Sequence, residues 1–165
     1  MEQFFNELQQ PLFRYLLRLS GCRETADDLT QETCIRGWTN QTQLQQATSP
    51  KAWLFRVAHN VWIDSVRRQN SRPIANALGQ HQPASPSSGP DLIASANELG
   101  ARVWAAIDQL PERQRQVMHL RVIEQLEISE IAEVLEIDPA AVRSNLAVAR
   151  KRLRTEFQSY FHCNQ

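Results

Sequence analysis

Between Pro73 and Pro90 the chain places Pro73, Pro83, Pro86 and Pro90, two glycines and three serines within eighteen residues. Such a stretch holds too few apolar side chains to bury against anything and reads as a linker. It divides a chain of 165 residues into two short halves. Halves of that size can each close a small core only if they are helical. If flexible, the linker spans on the order of 25 Å, and about 55 Å when extended as polyproline. The expected organisation is a first domain over residues 1–72, a linker over 73–95 and a second domain over 96–161.

The hydrophobic periods on both sides agree with an all-α fold, and no segment reads as a strand. Phe4, Leu8, Leu12, Leu16 and Leu19 recur at three- and four-residue steps, which sets them on one helical face. Pro11 should kink or divide that helix, and Gly21 should stop it. A second helix is expected to open with Thr25, Asp27 and Asp28, where acidic side chains favour the positive helix end. Its inward pattern is Ala26, Leu29, Thr33 and Trp38, and it should end near Asn40. Residues 39–48 are polar and aperiodic and read as a loop. Ser49 then caps a helix that carries Pro50 at its first position and runs to about Gln69. Trp53, Leu54, Val57, Ala58, Val61, Trp62 and Val66 are its apolar positions, interleaved with Lys51, Arg56, Arg67, Arg68 and Arg72. Beyond the linker four helices are expected, over Asp91–Gln109, Pro111 to about Glu124, Glu127–Leu135 and Pro139 to about Phe161.

A formal net charge of zero conceals blocks of opposite sign. Residues 1–48 carry a net −2, 49–72 +4, 73–96 −1, 97–139 −5 and 140–165 +4. Two short segments, well separated along the chain, therefore hold the positive charge.

The second of these segments follows a compact helical pair. Only Glu136, Ile137 and Asp138 separate two helices, the first facing inward with Ile128, Ile131, Ala132 and Leu135, which is helix-turn-helix spacing. Asp138 is suited to cap the next helix and Pro139 to begin it. Val142, Leu146, Ala149, Leu153 and Phe157 mark its buried stripe. The other side carries Arg143, Ser144, Asn145, Arg150, Lys151, Arg152 and Arg154, which can bond phosphates or base edges in a major groove.

Other functions find little support. No stretch approaches the roughly 20 apolar residues of a membrane span, and the first ten residues lack the basic-then-apolar order of a signal peptide, so a cytoplasmic protein is expected. Cys22, Cys34 and Cys163 make neither a disulfide framework nor a metal motif. His59, His81, His119 and His162 lie in unrelated segments without converging catalytic partners. The chain is expected to need no cofactor or metal, to take no small-molecule substrate and to have no active site of its own.

The segment DDLTQETCIRGW (27–38), followed by SPKAWLFRVAHNVWIDSVRRQ (49–69), closely resembles the sigma-2 domain of extracytoplasmic-function RNA polymerase sigma factors. LPERQRQVMHLRVIEQLEISEIAEVLEIDPAAVRSNLAVARKRLR (110–154) resembles that family's sigma-4 domain. Order and linker agree, and the resemblance covers nearly the whole chain.

This resemblance implies an alternative sigma factor that binds core RNA polymerase at its clamp and flap regions and directs promoter-specific initiation. Asp28, Leu29, Gln31, Glu32 and Arg36 should meet the clamp coiled coil, with Leu29 or Trp38 serving the core. The basic helix and the loop before it should recognise the minus-ten element and hold the opened strand, through Arg56, Asn60, Arg67 and Arg68. Trp53 and Trp62 are potential stacking platforms, Trp53 the more readily read as core. Arg143, Ser144, Asn145, Arg150 and Lys151 should read or anchor the minus-thirty-five element. An anti-sigma factor, often membrane-anchored in this family, is the implied regulator.

The chain departs from the family where glycine is usual, at Gln125, Glu136 and Ala140, and where more basic or polar residues are usual than Asn145, Ala147 and Val148. Glu136 stands at a turn that commonly takes a left-handed backbone, which costs a non-glycine residue about 1 kcal/mol or more. Two other readings compete. A sigma-fold mimic would titrate an anti-sigma factor without touching promoters, but the mimics to compare carry a receiver domain, for which these residues leave no room. A plain helix-turn-helix regulator does not account for residues 27–69.

Overall fold

The computed structural model describes residues 1–71 and 98–162. Among the described residues every regular element is helical. They fall into two units, one before and one after the proline-rich stretch; the linker itself, and residues 91–97 of the helix expected over Asp91–Gln109, lie outside the described residues.

The first unit is built from α1 (Glu2–Ser20), α2 (Arg23–Thr39), α3 (Gln41–Gln46) and α4 (Pro50–Asn70). Both α1 and α2 pack on α4 and on each other, and α3 closes against α4. Leu12, Leu16, Leu54, Phe55, Ala58 and Val61 are fully enclosed at the centre. Burying each of the larger ones is worth about 1.5–3 kcal/mol. Gly37 lets α1, α2 and α4 close up, because a methyl group there would sit 2.8 Å from Leu54 Cδ1 and 2.9 Å from Phe5 Cε1. One polar pair interrupts the core: the Tyr15 hydroxyl and His59 Nδ1 are hydrogen-bonded at 3.0 Å.

Local signals set most helix ends. Gly21 takes the left-handed backbone at φ 66° and its N–H donates to Leu17 O at 2.8 Å. The Ser49 hydroxyl accepts from the Ala52 N–H at 3.3 Å, with Pro50 opening α4. Three expectations are corrected. Pro11 neither breaks nor divides α1, which continues because Leu8, Leu12, Phe13, Tyr15 and Leu16 on both sides of it are buried. That packing outweighs the lost bond to the preceding turn. Next, α2 starts at Arg23, earlier than Thr25, with Cys22 in the extended cap position. Finally, the expected loop at 39–48 contains α3, anchored by the wholly buried Leu44.

The second unit comprises α5 (Glu98–Asp108), α6 (Glu112–Met118), a π-helical turn (His119–Ile123), α7 (Ile128–Leu135) and α8 (Pro139–His162). Within it α6 packs on α8, and α5 packs on both. The π turn replaces the expected end of an ordinary helix and encloses His119 and Glu124, whose Nε2 and Oε1 lie 3.5 Å apart. It is followed by Gln125 at φ 56°, and the Leu126 N–H donates back to Leu120 O at 3.0 Å.

Candidate nucleic-acid interface

The helix-turn-helix is made by local chemistry at three points. Glu127 and Glu130 form a reciprocal capping box at the start of α7, with the Glu127 N–H donating to Glu130 Oε2 at 2.6 Å. Arg121 braces this start, donating to Leu126 O at 2.8 Å and pairing with Glu127 Oε1 at 3.0 Å. Glu136 ends α7 in the left-handed conformation, φ 51° and ψ 47°, and the Ile137 N–H donates to Ala132 O at 3.0 Å. The turn therefore keeps the glycine-like backbone despite a side chain. Ala140 is different, being helical, with its N–H donating to the capping Asp138 Oδ1 at 2.6 Å.

On α8, Val142, Leu146, Ala149 and Phe157 are buried as expected, with Leu153 only half so. Arg143, Ser144, Arg150 and Lys151 are exposed. Asn145 is half-buried, and its Nδ2 donates to Ala141 O at 2.8 Å. One of its two amide hydrogens is thus engaged with its own helix.

On α4 the helical repeat sorts the candidates. Trp53, Arg56, Asn60 and Arg67 follow steps of three, four and seven residues, so they share one side. Leu54, Ala58, Val61 and Trp62 fill the other. Arg67 and Arg68 are exposed, Arg56, Asn60 and Trp53 half-buried. Arg68 also donates from Nε to Asp64 O at 3.3 Å. Trp62 is corrected here: at 5% exposure its ring is packed in the core rather than open as a stacking platform. Trp53, read as the better core candidate, lies on the same half-buried side of α4 as Asn60, two turns away.

The candidates on α2 divide in the same way. Asp28 and Gln31 are exposed, whereas Leu29 is buried and acts as core. Arg36 bonds Glu32 at 2.7 Å and reaches Asp64 on α4 at 3.5 Å. The Glu32 hydrogen bond raises the guanidinium pKa above its ordinary value, with Asp64 adding to the effect. These groups tie α2 to α4 as well as facing solvent. Trp38 is corrected from core to surface: it is 48% exposed, with its ring centroid 5.6 Å from that of Phe5. Ile35, not singled out from sequence, is 61% exposed. Asp28, Gln31, Ile35 and Trp38 are spaced by three, four and three residues, a period that marks a single side of α2. That spacing was visible in the sequence, but the tryptophan invited a core reading.

Family comparison agrees with this division. Sigma-70 region 2 matches residues 4–72 and Sigma-70, region 4 matches residues 100–153. The ECF RNA polymerase sigma factor SigL of Mycobacterium tuberculosis is 30% identical over 159 residues, covering 96% of this chain and 89% of SigL. SigE of Mycolicibacterium smegmatis is 36% identical over 145 residues, covering 87% of this chain; the chain spans only 56% of SigE. Among solved structures, the sigma factor RpoE of Bartonella quintana, in complex with the anti-sigma factor NepR, superposes with a TM-score of 0.67 at 21% identity. That match covers 96% of this chain and 98% of RpoE. CnrH, in complex with the cytosolic domain of CnrY, gives 0.59 at 20% identity and covers 96% of this chain and 87% of CnrH. Two helical units with these folds, the second carrying a helix-turn-helix, define a protein of the sigma-70 class. Within that class, the chain belongs to the extracytoplasmic-function sigma factors.

Proposed function

We propose that this chain is an alternative sigma factor that binds core RNA polymerase and selects promoters through two DNA-facing helices, α4 and α8. The observation that carries the reading is the paired placement of exposed basic side chains, Arg67 and Arg68 on one unit and Arg143, Arg150 and Lys151 on the other. A sigma factor needs both: one surface for the opened minus-ten strand and another for the minus-thirty-five duplex.

Opening the duplex costs a few kcal/mol per extruded base, which stacking and phosphate neutralisation offset. On α4, Trp53 supplies the ring, Asn60 the base-edge hydrogen bonds, and Arg56, Arg67 and Arg68 the phosphate contacts. On α8, the arginines set register on the duplex. The Asp28, Gln31, Ile35 and Trp38 side of α2 is the clamp-binding surface, with Glu32 and Arg36 fixing its orientation through Asp64. Control by an anti-sigma factor is supported by the RpoE complex with the anti-sigma factor NepR, whose sigma-factor fold this chain shares. Among the described residues no helix is long and apolar enough to cross a membrane.

The deciding experiment is run-off transcription from a genomic library with core polymerase of the host, with and without the chain, and with Arg143→Ala plus Arg150→Ala. The expected outcome is discrete new start sites sharing upstream elements, lost in the double variant. Binding to core without new starts would instead favour a mimic that only engages an anti-sigma factor.

A further inference from the structure

The DNA-facing side of α8 has an apolar centre. Its buried stripe runs through Val142, Leu146 and Ala149. At 3.6 residues per turn, the line opposite that stripe passes through Ser144, Ala147, Val148 and Lys151. Ala147 is exposed and Val148 is 41% exposed, one of few large apolar side chains left open to solvent. Arg143 and Arg150 lie toward one border of the exposed side, well placed for phosphates. Asn145 lies toward the other border, and its amide already bonds Ala141 O.

Hydrogen-bonding groups at the middle of a recognition helix read donor and acceptor patterns, but an isopropyl group there can do neither. The one apolar feature that the major groove offers is the 5-methyl group of thymine. The arginines on the border and Lys151 beside Val148 would hold the helix against the phosphates of that groove, so the surrounding charge commits the apolar patch to DNA rather than to a protein. We infer that Val148, supported by Ala147, selects a thymine in the minus-thirty-five element by contact with its methyl group. The inference deepens the sigma-factor reading and rests on it.

The test uses holoenzyme on a promoter found by run-off transcription, with each minus-thirty-five thymine replaced in turn by deoxyuridine, which removes only the methyl group. One replacement should weaken binding by the wild-type holoenzyme about fourfold, the value of one buried methyl. With Val148→Ala the same replacement should have no effect, and with Val148→Ile the dependence should return. Initiation without dependence on any thymine methyl, or a dependence that persists in Val148→Ala, overturns the inference while leaving the sigma reading intact. A minus-thirty-five element without thymine does the same. Failure to initiate from any promoter would overturn both readings.

Discussion

Cys22 and Cys34 show how position on one helix sets the chemistry of the same residue type. Cys22 is exposed at the cap of α2, where hydrogen bonds from the Thr25 backbone and hydroxyl lower its thiol pKa, with Glu24 N–H adding. Cys34 is half-buried, and desolvation raises its pKa. Thiolate is the nucleophile, so Cys22 should alkylate faster than Cys34 at neutral pH. Timed iodoacetamide labelling read by peptide mass spectrometry checks this; equal rates would refute it. Gly37 makes a steric point at the same scale. Gly37→Leu should destabilise the first unit by about 3 kcal/mol, since the enclosed Leu54 and neighbouring Phe5 leave no room. Urea unfolding followed through the far-ultraviolet helix signal measures it. The tryptophans carry the lesson for function. Trp53 and Trp62 are nine residues apart on α4, and both are large, amphipathic and apolar in pattern. Sequence spacing places them on opposite sides of the helix, but which side meets α1 and α2 is settled only when the helices pack.

At the scale of elements, caps and turns were the legible features. Gly21, Ser49 with Pro50, and Asp138 with Pro139 act through their own backbone or nearest neighbours, and the structure places each helix end at them or within a residue. The turn at Glu136 was legible in its position only: the glutamate suggested a different shape, yet its backbone keeps the left-handed conformation. Glu136→Gly should therefore raise the melting temperature, with a gain of about 1 kcal/mol in the second unit. A lowered melting point would mean that the glutamate side chain contributes more than its backbone costs. By contrast, α3 was missed because a six-residue helix with Leu44 as its single buried anchor has no period to detect. The π turn was missed because its inserted residue leaves the apolar pattern helical while changing which groups it encloses, here His119 and Glu124.

For the whole molecule, electrostatics supplies the clearest expectation. The positive charge is concentrated in residues 49–72 and 140–165 although the formal net charge is zero. Promoter affinity of the holoenzyme should fall linearly on logarithmic axes as salt rises, through counterion release. Arg143→Ala plus Arg150→Ala should lower that slope by about 2, one for each phosphate contact removed. Val148→Ala should leave the slope unchanged and alter only sequence preference. Titrations across a salt series distinguish a border of phosphate contacts from a base-reading centre, and an unchanged slope in the double arginine variant would remove both residues from the DNA contact set. Composition and periodicity by themselves determined that the chain is helical, divided by residues 73–90, and closed by a helix-turn-helix with a basic helix. Those properties depend on backbone propensity, turn chemistry and charge, which act over a few residues. Tertiary structure alone decided that Trp62 is core while Trp53, Ile35 and Trp38 reach the surface, and that α3 forms. Periodicity defines which residues share a side, but exposure depends on the helix packed against that side, and that neighbour comes from a distant part of the chain.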